Sequence, residues 1–136
     1  MANMEVTLDG GKVITAHIIG KTIRTDQSVK NGGGGTAPEP FELFLASIGT
    51  CAGIYVKSFC DQRGIPAEGI KIIQSVVFDP EKRVPGRISL DIQLPSDFPE
   101  KYKAAVVSAA ELCLVKKTIN DPPIFQVHTS VLAPMS

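Results

Sequence analysis

Apolar and polar positions alternate strictly through "RISLDIQL", residues 87–94. Ile88, Leu90, Ile92 and Leu94 fall on one face, and Arg87, Ser89, Asp91 and Gln93 on the other. A period of two predicts a half-buried strand. "IKIIQSVVF", residues 70–78, predicts its partner, and "DPEKRVPG" between them supplies turn chemistry, so the two form a hairpin. β-Branched residues near the start predict short strands over 4–8, 12–19 and 21–25, with Gly10-Gly11 and Gly20-Lys21 at the turns. "IFQVHTSVL", residues 124–132, predicts a last strand.

The period changes over 40–63. Phe41, Leu43, Phe44, Leu45, Ile48, Ile54, Tyr55, Val56 and Phe59 cover nearly every side of one long helix. A helix apolar all round belongs in a core, covered on most sides. Pro40 suits its first turn, and Glu39 and Glu42 complement its positive dipole end. Gly64 and Pro66 stop it. A second helix is predicted over 98–112, capped by Ser96 or Asp97, with Pro99 in its first turn. "LVKKTIN" continues it as a bent turn or short third helix, which Pro122 and Pro123 end. Residues 25–40 show no periodicity. Their four glycines suggest a phosphate cradle, but no GK[ST] follows, so the stretch reads as a flexible connection. The whole is an α+β pattern, read as one domain over 1–136.

Composition narrows the function. The chain has 136 residues and 43% hydrophobic content, enough for one real core. Fourteen basic and 14 acidic side chains give no net charge, which argues against nucleic acid or an anionic membrane surface and permits self-association. Gly, Ser, Thr and Lys interrupt the apolar stretches, so no membrane span is expected. "MANMEVTLDGGK" has no basic start leading into an apolar stretch, so a cytoplasmic protein without a signal peptide is expected.

Three cysteines, none in a CxxC pair, suggest neither a disulfide framework nor a zinc knuckle. Cys51 and Cys60 lie roughly opposite on one helix, about 13–14 Å apart along its axis, too far to bridge. Cys51–Cys113 and Cys60–Cys113 remain open. Gly49 and Gly53, four apart, offer a face that another helix can approach closely. Alanines before Cys113 do the same, which favours the first pair. Cys60, beside Phe59, reads as a buried space-filler. His17 and His128 sit in separate predicted strands without ligand spacing, so no metal is expected, and no cofactor.

"APEPFELFLASIGTCAGIYV" with "AAELCLVKKTIND" resembles the OsmC/Ohr family of osmotically inducible and organic hydroperoxide resistance proteins. Pro40, Glu42, Leu43, Cys51, Glu111 and Cys113 carry the resemblance, and the element order fits it along essentially the whole chain. The resemblance implies an OsmC-like fold, with antiparallel sheets around a long buried central helix in an intertwined homodimer. It implies that Cys51 attacks an organic hydroperoxide and becomes a sulfenic acid. Cys113 resolves that to a disulfide, and a dithiol reductant restores both, in accord with general thiol chemistry. Peroxidase members pair an arginine and a glutamate beside the reactive thiol. Arg24 is the candidate arginine. Ten positions before Cys51, where that glutamate stands, the chain has Phe41; Glu42 is nine before and serves either a site or the helix dipole. Leu114 follows Cys113 where proline is frequent, so the chain resembles a divergent branch. The substrate is expected to sit among Phe41, Phe44, Ile48 and Tyr55. The alternatives are an interface that binds an apolar small molecule or senses redox state without turnover, and a structural dimer with inert thiols.

Overall fold

A computed structural model describes residues 3–134. It contains two antiparallel sheets and three α-helices. The first sheet is a meander of β1 (Met4–Leu8), β2 (Ile14–Ile18) and β3 (Lys21–Thr25). β2 is shorter than its apolar run because Ile19 and Gly20 both take positive φ, 43° and 73°, and turn the chain. Thr25 closes the sheet by donating its hydroxyl to the Ile14 carbonyl at 2.6 Å.

α1 (Pro40–Gln62) follows, with Pro40 in its first turn and the Glu39 N–H donating to the Glu42 carboxylate at 2.9 Å. Gly64, at φ 64°, reverses the chain after it, and the Ile65 N–H donates to the Cys60 carbonyl at 2.9 Å. By length and a mean hydropathy of 1.5, α1 could cross a bilayer, so its small polar interruptions are weaker breaks than expected. Its buried face is Ile48, Ala52, Val56, Phe59 and Cys60.

The hairpin of β4 (Lys71–Phe78) and β5 (Pro85–Gln93) packs against this helix. β5 begins at Pro85, earlier than its alternation, and a register shift at Val77/Phe78 absorbs the extra residue. The inward stripe of Ile72, Leu90, Ile92 and Leu94 covers the core. α2 (Lys103–Glu111) closes the other side with Val106 and Ala110. Neither Ser96 nor Asp97 caps it, because a 3-10 turn, Glu100–Tyr102, intervenes after Pro99. α3 (Leu114–Asn120) starts at Cys113 and stops before Pro122-Pro123.

Three expectations are corrected. Gly49 and Gly53 face β4 and not another helix. A Cβ on Gly49 would meet the Gln74 Oε1 at 2.5 Å, and one on Gly53 would rest 3.8 Å from the Ile72 Cδ1. The small residues do admit a close neighbour, but it is a strand. Residues 124–132 form no strand, because no edge among the described residues pairs with them. Ile124, Phe125, Val127, Val131 and Leu132 are almost fully exposed. On α1, Phe41, Phe44 and Ile54 are left exposed by this chain's own elements. The 26–39 segment is not a slack connection. The Asp26 carboxylate is buried and accepts from the Gln27 N–H at 2.7 Å, the Thr36 N–H at 3.1 Å and the Thr36 hydroxyl at 2.6 Å. Its glycine N–H groups bond inside the loop, which leaves no phosphate cradle.

Candidate active site

Cys51 sits midway along α1, half-buried, on the side toward the junction of α2 and α3. Cys113 is the residue at which α2 gives way to α3, and it is fully buried. The chain reaches this arrangement by simple means. Leu112 ends α2, Cys113 takes a non-helical φ of −50° and ψ of 130°, and α3 restarts at once. The first N–H groups of a helix have no partner within it. Here the Leu114 and Val115 N–H groups act to lower the Cys51 thiol.

The Cys113 thiol is the largest influence on Cys51. It and then the Val115 N–H hold the Cys51 thiol below its ordinary pKa, with burial opposing them and the Leu114 N–H helping. Cys113 moves the other way. Burial raises it most, and the neighbouring Cys51 raises it further, partly offset by the Lys116 and Val115 N–H groups. Of the two thiols Cys51 is therefore the one that ionises first. A thiolate with a neighbouring thiol suits attack on an electrophilic oxygen or sulfur, followed by disulfide closure. Both sulfurs are free thiols.

α3 also shapes the surroundings. Leu114 and Val115 turn their side chains into a hollow of about 390 Å³, lined also by Phe44, Ile119 and Phe125. Phe44 lies seven residues before Cys51, two helical turns away on the same face. Of the four residues expected around a substrate, Phe44 lines this hollow. Phe41 stacks on Phe44 with ring centroids 5.5 Å apart, Ile48 is buried in the helix face, and Tyr55 is half-buried.

The other candidates lie elsewhere within the chain. Arg24 donates to the Thr36 hydroxyl at 2.8 Å and braces the Asp26 loop; it is not among the groups acting on Cys51. Glu42 accepts the Glu39 N–H and closes the first turn of α1. Cys60 is fully buried among Phe59, Val106 and their neighbours, and burial raises its thiol. His17 approaches the Thr7 hydroxyl at 3.3 Å. No cluster of three metal-ligating side chains occurs among the described residues. The Leu114 and Val115 N–H donors escaped the sequence reading, since backbone donors have no residue signature. The break between α2 and α3 right at Cys113 was the available signal.

Residues 32–128 match the family model described as OsmC-like protein. No curated protein matches the chain by sequence. Solved structures share its fold. One, described as an osmotic stress induced and detoxification response protein from Psychrobacter arcticus, is 22% identical with a TM-score of 0.75, covering 87% of this chain and 88% of that one. An organic hydroperoxide resistance protein from Legionella pneumophila is 19% identical with a TM-score of 0.56, covering 88% of each chain. The organic hydroperoxide resistance protein OhrB of Bacillus subtilis is 19% identical with a TM-score of 0.54, covering 88% of this chain and 92% of that one.

Proposed function

The chain belongs to the OsmC-like protein family, and from that premise we propose that it is a thiol-dependent peroxidase for organic hydroperoxides. What supports the reading is the Cys51–Cys113 pair, in which Cys51 is held below its ordinary pKa and Cys113 is raised above it. The Cys51 thiolate attacks the terminal oxygen of the hydroperoxide. An S–O bond forms, the O–O bond breaks, and the alkoxide leaves and takes a proton to become the alcohol. Cys113, as thiolate, then attacks the Cys51 sulfur. The S–S bond forms, the S–O bond breaks, and hydroxide leaves as water. A dithiol reductant exchanges with the disulfide and returns both thiols. The hollow beside α3 offers the organic group an apolar wall, which hydrogen peroxide has no surface to use.

The same reading makes the protein a homodimer. Exposed Phe41, Phe44 and Ile54 on α1, exposed Met4, Val6 and Leu8 on the first sheet, and the unpaired 124–132 segment support it. A second copy would cover these surfaces and give the segment an edge to pair with. Arg24 and Glu42 are proposed to act on the thiol pair of the partner subunit.

That Arg24 and Glu42 bond elsewhere favours a second reading, in which the pair senses oxidation or the hollow binds an apolar molecule without turnover. Consumption of cumene hydroperoxide with dithiothreitol separates the two. Steady turnover by the native chain, lost in Cys51→Ser, supports the peroxidase. One oxidation event per chain with no turnover supports the sensor.

A further inference from the structure

A hollow of about 730 Å³ lies at the C-terminal end of α1, bounded by Arg63, the Gly64–Gly69 loop, the prolines before α2, and Tyr102. It is about 18 Å along the helix axis from Cys51, so it is no part of the thiol site. Its volume falls in the range of small-molecule sites.

Arg63 is held in place. Its guanidinium carbon is 3.7 Å from the Phe59 ring centroid and 5.7 Å from that of Tyr102, and one N–H donates to the Phe59 carbonyl at 3.2 Å. Lys101 brings its ammonium to 5.1 Å from the same Tyr102 ring. Two cations thus lie near the Tyr102 ring. Glu68 and Asp97 line the same hollow. Among the described residues none of these four charges is in an ion pair. Pro66, Pro95 and Pro99 stiffen the walls, which lowers the ordering cost of binding.

The charge pattern selects a ligand class. An anion alone would meet the carboxylates, and a cation alone would meet Arg63 and Lys101. A molecule with one charge of each sign satisfies both sets. We propose that this hollow binds a small zwitterion of the amino-acid type. Its carboxylate engages Arg63 and Lys101, its ammonium engages Glu68 and Asp97, and its apolar part lies against the walls of Pro66, Pro95 and Pro99. A guanidinium held on its ring faces still offers an edge to a carboxylate. No thiol is involved, so the proposal stands or falls apart from the peroxidase reading.

Calorimetric titration of the full chain with three probes tests it: L-phenylalanine, 3-phenylpropanoate, which lacks the amine, and phenethylamine, which lacks the carboxylate. L-Phenylalanine is expected to bind about tenfold tighter than either analogue. Arg63→Gln is expected to weaken L-phenylalanine and 3-phenylpropanoate about tenfold and leave phenethylamine unchanged. Because Arg63 also packs on Phe59, the exposed Lys101→Gln serves as a second variant, with a loss of about threefold for the same two probes. Equal binding of all three probes, no binding of L-phenylalanine at about 10 mM, or native binding by Lys101→Gln overturns the proposal.

Discussion

Replacing Gly49 by alanine reports directly on what packs against the middle of α1. The new Cβ would meet the Gln74 Oε1 at 2.5 Å, so the Gln74 carboxamide must swing away. It then gives up its 2.9 Å bond from Nε2 to the Leu45 carbonyl, worth about 1 kcal/mol net. Against this, alanine in place of a helix-interior glycine contributes about 1 kcal/mol. The two effects cancel, and Gly49→Ala is expected to leave stability within about 0.5 kcal/mol of native. In a Gln74→Ala background nothing remains to displace. There Gly49→Ala is expected to stabilise by about 1 kcal/mol, a coupling of the same size. Gly53→Ala, whose Cβ would rest 3.8 Å from the Ile72 Cδ1, is expected to stabilise by about 1 kcal/mol in either background. Urea unfolding followed by circular dichroism measures the cycle, at one protein concentration because self-association shifts apparent stability. A loss of about 2 kcal/mol or more for Gly49→Ala in both backgrounds would refute the strand contact. It would mean that rigid backbone, such as a crossing helix, lies against Gly49.

Alkylation of Cys51 by iodoacetamide should half-develop at a lower pH than alkylation of the unfolded chain. In Cys113→Ala, which removes the largest influence lowering the Cys51 thiol, that midpoint should move back up. Asp26 is lowered to about 2, first by the Thr36 hydroxyl and then by the Thr36 and Gln27 N–H groups. A depressed carboxylate contributes stability that is complete above its unfolded value and is lost as pH falls through about 2. Asp26→Ala should therefore flatten the acid end of the stability profile and expose residues 27–36 to limited proteolysis. Light scattering at micromolar concentration should find a dimer, and Ile54→Glu, at an exposed position of α1, should shift it toward monomer.

Some of the molecule was legible in its sequence and some was not. The alternation from Arg87 to Leu94 fixes both the β5 strand and its buried face, since a period of two has no other use. Pro40 and Gly64 mark the ends of α1 within a residue. Geometry alone left Cys113 free to pair with Cys51 or Cys60, and the fold brings it to Cys51. The glycines at 49 and 53 announced a close neighbour but carried no information on whether it was helix or strand. The Asp26 loop was opaque because its order comes from side chain to backbone bonds, which leave no periodic trace. The 124–132 segment has the composition of a strand, but a strand exists only where its backbone groups find partners. Among the described residues it pairs with none of the open edges of β1, β3, β4 and β5.

The proposed chemistry rests on Cys51 as the attacking thiol and Cys113 as the resolving one. One experiment separates these roles. Cys113→Ser, treated with one equivalent of cumene hydroperoxide and then with dimedone, should carry a single dimedone adduct, and peptide mass spectrometry should place it on Cys51. The native chain should instead form a Cys51–Cys113 disulfide with Cys60 still a thiol. A sulfenic acid trapped on Cys60, or no oxidation of Cys51 in either chain, would contradict the assignment.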